Sequence, residues 1–110
     1  MRTIICTKIK HGRVSKMRIC CFGTFDLLHV GHVRLLKRAR LEGDFLIVGL
    51  STDSLNVEKK DRRPVVPFEQ RKEMLLSLEC VDEVFAEESL EDKRAYVRAH
   101  AIDVIVNGDD

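Results

Sequence analysis

The alternation of short apolar runs with amphipathic segments constrains the fold of this 110-residue chain more than any other feature. A short apolar run suits a strand buried on both faces, and apolar residues spaced three or four apart suit a helix packed on one side. Alternating strands and helices predict an α/β fold whose parallel sheet has helices on both faces. The predicted strands are residues 18–22, 45–50, 84–86 and 102–106, and two predicted helices are residues 30–41 and 90–100.

The middle of the chain carries a third predicted helix. Pro67 suits its first turn, and Met74, Leu75 and Leu78 would anchor it in the core. The preceding residues 51–66 are polar and include a proline, so they are predicted to form a loop.

Composition limits the class of protein. Hydrophobic residues make up 45% of the chain and charged residues 34%, which is typical of a globular domain. The net charge of +1 favours neither nucleic acid nor an anionic membrane as a partner, and no apolar run approaches the roughly 20 residues of a membrane-spanning helix.

The cysteines lack metal-binding spacing, so reduced thiols and a cytoplasmic location are expected. They are Cys6, Cys20, Cys21 and Cys80, of which the adjacent pair is expected to point to opposite faces of a strand.

Polar segments directly follow three of the predicted strands, at residues 23–26, 51–53 and 108–110. In a parallel sheet flanked by helices, ligands bind at the carboxyl ends of the strands, so these segments are expected on one rim. The sequence therefore predicts a single binding site at that rim.

Two histidines, His29 and His32, stand three residues apart at the start of the first predicted helix. Residues at this spacing face the same way, and a helix N-terminus provides N–H groups and partial positive charge for phosphate oxygens. Imidazole donors there can stabilise the charge that develops at an attacked phosphorus, and Gly31 leaves space for phosphate. The spacing alone also allows a zinc pair or two surface residues, although neither His11 nor His100 is placed as a third metal ligand.

Residues 23–32, GTFDLLHVGH, resemble the signature of the HxGH nucleotidyltransferase superfamily, in its cytidylyltransferase branch. Within that branch the chain is most similar to the glycerol-3-phosphate cytidylyltransferases. The likeness runs in order through residues 17–110. The further matching stretches are residues 43–49, 51–53, 69–71, 81–84 and 102–110.

The resemblance implies a Rossmann-like, HUP-type domain that forms a homodimer and uses Mg²⁺. The implied reaction is in-line attack by the phosphate of a small phosphorylated alcohol on the α-phosphate of CTP, with release of pyrophosphate. By position, the resemblance makes His29, His32 and Lys59 the catalytic residues. The implied nucleotide-binding residues are Thr24, Phe25, Gly31 and Asp110, and the implied acceptor-binding residues are Lys59, Lys93 and Arg71.

Several of these residues also have simpler interpretations. Arg71 can orient phosphate or form an ion pair with a nearby acid. Asp26 can hold loop backbone instead of ligand, which is a common task of aspartate in tight turns. Without the resemblance, Lys59 and Lys93 would be interpreted as solvated surface charges.

The match departs from the glycerol-3-phosphate enzymes after the second predicted strand. Asp61 replaces a CTP-binding lysine of those enzymes, whose charge Lys60 or Arg62 would have to supply. Residues 62–67 and 69–71 look more like relatives that act on ethanolamine phosphate, heptose phosphate or flavin mononucleotide, some of which use ATP. The alternatives are therefore an adenylyltransferase with another phosphorylated acceptor, or a nucleotide-binding module without catalysis.

The family's carboxy-terminal RTEGISTT motif, which embraces the nucleotide, does not follow Asp110. Residues 2–10 resemble a shortened copy of it. We therefore hypothesise a circular permutation, in which residues 1–16 form a basic segment that carries this motif and residues 17–110 form the nucleotidyltransferase domain. The alternative is a chance likeness in a leader. Under the hypothesis, the residues that would bind nucleotide phosphates are Arg2, Thr3 and Thr7.

Overall fold

The computed structural model describes residues 4–8 and 17–108, and within them five strands form one sheet in the order β1-β5-β2-β3-β4. Strands β2 to β5 are parallel, which confirms the predicted α/β fold, and β1 adds an antiparallel edge next to β5. The strands are β1 Ile4–Lys8, β2 Arg18–Gly23, β3 Phe45–Ser51, β4 Glu83–Glu87 and β5 Val104–Gly108. The helices are α1 Val30–Arg40, α2 Asp53–Lys60, α3 Phe68–Leu76 and α4 Lys93–Ala99.

Strand β2 lies between the two halves of the parallel sheet. It pairs with β3 on one side, where Arg18 is opposite Phe45, and with β5 on the other, where Ile19 is opposite Val104. The chain passes from β2 to β3 and β4 on one side, and returns to β5 on the other. The strand order therefore reverses at β2, and its carboxyl end is the position where such sheets bind ligands.

The basic segment at residues 1–16 contributes a strand that the sequence did not predict. Ile4 of β1 is opposite Gly108 of β5, and Lys8 is opposite Val104. Because the two strands are antiparallel, the first residue of β1 is at the carboxyl end of β5. Strand β1 therefore begins at the rim that carries the predicted site.

Two apolar clusters fill the two faces of the sheet. Cys20 packs in one of them with Ile47 and Val97, and Cys21 packs in the other with Leu36. The adjacent cysteines thus point to opposite faces, as predicted. Burial raises the pKa of both thiols, that of Cys21 to about 12, so both stay protonated and unreactive at neutral pH.

The prediction of a loop over residues 51–66 was wrong, because α2 occupies its first half. Thr52 caps this helix: its Oγ1 accepts a hydrogen bond from Leu55 N at 3.2 Å. Only Leu55 and Asn56 are buried in α2. One apolar anchor in eight residues gives no helical periodicity, which explains why the pattern indicated a loop.

Two helix boundaries and one core assignment were also wrong. Pro67 is the N-cap of α3 rather than part of its first turn, and α4 is shorter than the predicted residues 90–100. Leu75 is fully buried, but Met74 is 50% exposed because only one side of α3 faces the sheet. In the part of the chain that the structure describes, no helix has the length and apolar character needed to span a membrane.

Candidate active site

A pocket of about 310 Å³ opens at the carboxyl end of β2, on the rim that the sequence predicted. The loop between β2 and α1, the first turn of α1 and the end of α2 all contribute to its wall. Two separate stretches of sequence, residues 22–35 and 59–60, therefore meet in one site. The residues that carry its chemistry are Thr24, Phe25, His29, His32, Lys59 and Lys60.

A larger groove of about 790 Å³ lies next to this pocket and shares Phe25 with it. Its wall is mainly apolar and includes Leu27, Leu28, Val66 and Met74, and neither lysine nor histidine lines it. Phosphate chemistry needs donors and positive charge, so we assign that chemistry to the smaller pocket.

The two histidines of the pocket cap the same helix end. His29 is the N-cap of α1, and its Nδ1 accepts a hydrogen bond from Gly31 N at 3.0 Å. His32 Nδ1 accepts from the backbone N of His29 at 3.1 Å, and the two rings stack with centroids 3.9 Å apart. Since both Nδ1 atoms accept from backbone N–H groups, the proton of each neutral ring is on Nε2. The first turn of α1 thus carries two Nε2–H donors of fixed tautomer.

The loop between β2 and α1 has a strained backbone. Phe25 and Leu27 have φ angles of 49° and 50°, in the left-handed region that favours glycine. The Phe25 ring is nevertheless buried and meets His32 edge-on at 5.4 Å. A side chain at Gly23 would not fit, because its Cβ would lie 2.8 Å from that ring. Such strain persists only where surrounding contacts fix the loop.

Arg71 supplies several of those contacts. Its side chain is 1% exposed, and its Nε donates to the carbonyl of Val66 at 2.8 Å. One terminal nitrogen donates to the carbonyls of Thr24 and Ser51, both at 2.9 Å, and the other pairs with Asp53 Oδ1 at 2.7 Å. All three nitrogens are engaged with the protein, so the observed contacts favour the ion-pair interpretation over direct acceptor binding.

Asp26 links the loop between β2 and α1 to the segment between α2 and α3. Its two carboxylate oxygens accept hydrogen bonds from the backbone N of Val65 at 2.7 Å and of Val66 at 2.9 Å. Partial burial raises the pKa of Asp26, but these backbone donors and the charge of Arg71 outweigh burial and lower it below its usual value. The structure confirms that Asp26 holds loop backbone.

Thr24 is fixed at the mouth of the pocket by α2. Its hydroxyl donates to Asn56 Oδ1 at 2.8 Å and accepts from Lys60 Nζ at 3.4 Å. Asn56 is itself buried, and its amide nitrogen donates to the carbonyl of Thr52 at 2.9 Å. Lys60 therefore places the positive charge of α2 next to the loop between β2 and α1. Asp61 ends the helix in a left-handed conformation.

The two lysines expected at the acceptor site lie on different helices, α2 and α4, near one buried acid. Lys59 Nζ donates to Ser51 Oγ at 2.8 Å, and Ser51 Oγ donates to Glu87 Oε1 at 3.2 Å. Lys93 Nζ lies 4.5 Å from the centroid of the Phe22 ring, which also borders the pocket. The structure thus places Lys59 in the pocket wall and Lys93 over the ring of Phe22, another residue of that wall.

One expected nucleotide-binding residue, Thr7, lies away from the pocket, and three others lie outside the residues that the structure describes. Arg2, Thr3 and Asp110 lie outside the described residues. Thr7 is paired with Ile105 near the amino end of β5, so its backbone is about 10 Å from the rim at 3.3 Å per residue.

Sequence reasoning missed Asn56 and Glu87 as parts of the site, and it placed Ser51 at the rim without giving it a role. Glu87 directly follows the predicted strand 84–86, which is the same signal that marked the other rim segments. Asn56 gave no such signal, because a polar residue in a polar stretch is normally exposed.

The described residues contain no group of three or more histidines, cysteines or acids arranged to hold a metal ion. A resident zinc site of the kind that the histidine spacing allowed is therefore not formed in this part of the chain.

Comparisons with known proteins show the family of the chain. A family model described as cytidylyltransferase-like matches residues 20–110. Glycerol-3-phosphate cytidylyltransferase of Bacillus subtilis is 44% identical over 93 residues, which are 84% of this chain and 71% of that protein. FAD synthase of Thermococcus sibiricus is 44% identical over 70 residues, which are 64% of this chain and 47% of that enzyme.

A solved structure gives the same result for the fold. The lipopolysaccharide core biosynthesis protein from Thermoplasma volcanium GSS1 superimposes with a TM-score of 0.69 at 27% identity, covering 77% of this chain and 68% of that one. The residues matched by the family model include the paired histidines and the lysines of the pocket. This chain therefore belongs to the cytidylyltransferase-like family and is a nucleotidyltransferase.

Proposed function

We propose that the chain transfers CMP from CTP to a small phosphorylated alcohol, with glycerol 3-phosphate as the best candidate, and releases pyrophosphate. The observation that carries the proposal is the capped pair His29 and His32 facing a pocket that also holds Lys59 and Lys60. Donors and cations concentrated at a helix N-terminus suit a triphosphate and the charge that builds up on it during transfer.

In the proposed reaction, a phosphate oxygen of the acceptor attacks the α-phosphorus of CTP. The bond from that phosphorus to the oxygen bridging to the β-phosphate breaks, and pyrophosphate leaves with the electron pair. The attacking oxygen is already ionised near neutral pH, so the step needs no general base. His29 and His32 donate from Nε2 to the phosphate oxygens on which charge develops, and Lys59 and Lys93 neutralise the incoming acceptor phosphate.

We also propose that Mg²⁺ takes part and binds with the nucleotide. Mg²⁺ in such sites usually keeps several waters and takes its remaining ligands from substrate phosphates and one or two carboxylates. Asp26 is the carboxylate of the pocket, and both of its oxygens already accept backbone hydrogen bonds. The donor set thus fits an ion held mainly by phosphate oxygens and water, which would supply charge neutralisation.

Adenylyl transfer to another acceptor is the second candidate. Asp61 stands where the glycerol-3-phosphate enzymes are expected to have a CTP-binding lysine, and it ends α2 beside the pocket. The similarity to FAD synthase over 64% of the chain points the same way. Against it, the Lys60 ammonium lies 3.4 Å from Thr24 Oγ1 and can replace the missing charge.

Pyrophosphate release with Mg²⁺ and glycerol 3-phosphate, measured in parallel with CTP and with ATP, tests the function. We expect release with CTP and its loss in His29→Ala. Release with ATP alone would replace the proposal with adenylyl transfer. No release with either nucleotide, together with tight nucleotide binding in a titration, would indicate a binding module.

For residues 1–16, we propose that they take the place of the family's carboxy-terminal nucleotide motif. In support, β1 is part of the sheet and Ile4 is opposite Gly108 at the site rim. The pairing of Thr7 far from the rim weighs against a direct role for its side chain. Arg2→Ala should raise the KM for CTP, whereas Thr7→Ala should not. An unchanged KM in Arg2→Ala would contradict the permutation.

We further propose that the protein works as a homodimer in the cytoplasm. The apolar groove beside the pocket has exposed side chains on its wall, among them Leu27 at 59% and Met74 at 50%. Exposed apolar surface of this kind is typical of protein interfaces. The free thiols of Cys20, Cys21 and Cys80 are compatible with a reducing compartment.

A further inference from the structure

Glu87, the last residue of β4, is a buried acid that the proposed reaction does not use. Its side chain is 1% exposed. One carboxylate oxygen, Oε1, accepts a hydrogen bond from Ser51 Oγ at 3.2 Å. The other, Oε2, is buried without a hydrogen-bond partner among the described residues. Burying a carboxylate is costly unless positive charge compensates for it, so the neighbours of Glu87 should explain its presence.

Those neighbours are Lys59 and Lys93, the two lysines assigned to acceptor binding. The Ser51 hydroxyl donates to Glu87 and accepts from Lys59 Nζ at 2.8 Å, which makes a continuous chain from the acid to the ammonium group. The opposite charges of Glu87 and Lys93 also attract each other. Glu87 is thus linked to Lys59 on α2 through Ser51 and attracted to Lys93 on α4 by charge.

Burial and the neighbouring charges have opposing effects on the pKa values of Glu87 and Lys59. Burial raises the pKa of Glu87, while Lys93, the Ser51 hydrogen bond and Lys59 counteract this. Burial lowers the pKa of Lys59, Glu87 counteracts it, and the nearby cations lower it further. The other charged or titratable groups that face this cluster are Lys60 on α2, Arg71 on α3 and Cys20 on β2.

We propose that Glu87 is a positioning residue for the acceptor: through Ser51 and by its charge it holds the ammonium groups of Lys59 and Lys93 where the acceptor phosphate binds. This inference rests on the proposed function, because it assigns the lysines to acceptor binding. Without Glu87, two mutually repelling cations would lose an acid that attracts both, and their side chains would occupy more conformations.

Glu87→Gln tests the inference, because it removes the charge and keeps the shape. We expect the KM for glycerol 3-phosphate to rise about tenfold while the KM for CTP changes less than twofold. We also expect the alkaline limb of kcat/KM for glycerol 3-phosphate to move to lower pH, since Lys59 loses the acid that keeps it charged. Ser51→Ala breaks the link but keeps the charge, so it should raise the same KM without moving the alkaline limb.

The matched control is Glu88→Gln, the same change at the next residue, which is exposed. It should alter neither KM nor the pH profile. The KM for CTP and the melting temperature show whether Glu87→Gln is folded, and calorimetric binding of glycerol 3-phosphate gives a readout that does not depend on turnover.

The outcomes separate the inference from the function. An unchanged or lower acceptor KM in a folded, active Glu87→Gln protein overturns the inference alone, since a lower KM would mean that the carboxylate merely repels phosphate. A wild-type protein that neither turns over nor binds glycerol 3-phosphate overturns the proposed function and this inference together. A raised acceptor KM with a displaced alkaline limb supports both.

Discussion

The backbone N–H of His29 donates to Nδ1 of His32 at 3.1 Å, so each histidine of the HVGH motif helps to place the other. His29 in turn caps the helix by accepting from Gly31 N at 3.0 Å. The two rings are therefore structural and chemical at once: Nδ1 of each ring stabilises the helix end, and Nε2 carries the proton that the proposed chemistry requires.

Substitutions at His29 should separate these two tasks. His29→Ala removes both the cap and the donor, so we expect kcat to fall about 10² to 10³-fold and the unfolding free energy to fall by about 1 kcal/mol. His29→Asn keeps a capping side chain, so its unfolding free energy should match the wild type while its kcat stays as low as that of His29→Ala. Pyrophosphate release and urea unfolding measure the two quantities. Full activity in His29→Asn would show that capping alone is the role of this residue.

Lys60 should supply the charge that, by the resemblance, a lysine at position 61 is expected to supply in the glycerol-3-phosphate enzymes. Its Nζ is 3.4 Å from Thr24 Oγ1 and it lines the pocket. We expect Lys60→Met to raise the KM for CTP about tenfold, the effect of losing one charged contact. Arg62→Met is the control, because Arg62 is exposed and does not line the pocket. If Arg62→Met raises the KM for CTP and Lys60→Met does not, the assignment of Lys60 is wrong.

Arg71 should matter for stability more than for acceptor affinity. Arg71→Lys can keep the contact with Asp53 but leaves buried carbonyls of the loop without their donors. We expect the unfolding free energy to fall by about 2 to 3 kcal/mol, at about 1 kcal/mol for each lost hydrogen bond. Arg63→Lys, at an exposed arginine, should change it little. Unchanged stability with a raised KM for the acceptor would indicate direct acceptor binding instead.

Asp26 should make stability depend on pH in the acid range. Its pKa is lowered in the folded protein from the ordinary 3.8, so its contribution is complete above that value and is lost as the pH falls through the folded pKa. Asp26→Asn should therefore be less stable than the wild type by about 1 to 2 kcal/mol at pH 7, and the difference should shrink below about pH 4. Urea unfolding from pH 3 to 7 measures this. Asp92→Asn, at an exposed aspartate without a side-chain capping bond, should show no such trend.

The apolar groove should be a contact between two copies of the chain. Met74→Glu places a charge in it, so we expect the dimer to dissociate and the molar mass from light scattering to halve, because an unpaired charge in an interface is costly. Leu41→Glu is the control: Leu41 is 83% exposed and lies outside the groove. A wild-type protein that is monomeric at the concentrations of the assay would contradict the dimer.

The elements that the sequence predicted well are those with a strong local signal. Strands β2 and β3 are nearly continuous apolar runs, and α1 has a complete apolar stripe with Leu35, Leu36 and Ala39 buried. Helix α2 lacks such a stripe and was missed. Met74 was misplaced because its spacing fits a core position but the neighbouring elements leave that side of α3 open. Periodicity shows which residues can share a face, and only packing decides which face is covered.

The same division holds for the site. The HVGH motif and the three rim segments could be found from residue order, because parallel strands bring their carboxyl ends together whatever the details of packing. The roles of Arg71 and Glu87 could not be found in this way. Apart from the nearby Val66, the partners of Arg71 are 18 to 47 residues away in sequence, and the Ser51 partner of Glu87 is 36 residues away. A charged side chain is also normally exposed.

By itself, then, the sequence determined the parallel α/β architecture, the rim that carries the site and the two histidines at a helix start. The tertiary structure alone decided which polar side chains form hydrogen bonds or ion pairs with distant parts of the protein. Arg71 is buried and donates to loop carbonyls, and Asp26 accepts hydrogen bonds from loop backbone. Glu87 is buried and attracts two lysines by its charge. The physical reason is that local patterns record the burial of apolar surface, which is non-directional, whereas hydrogen bonds and ion pairs depend on distances between residues far apart in the chain.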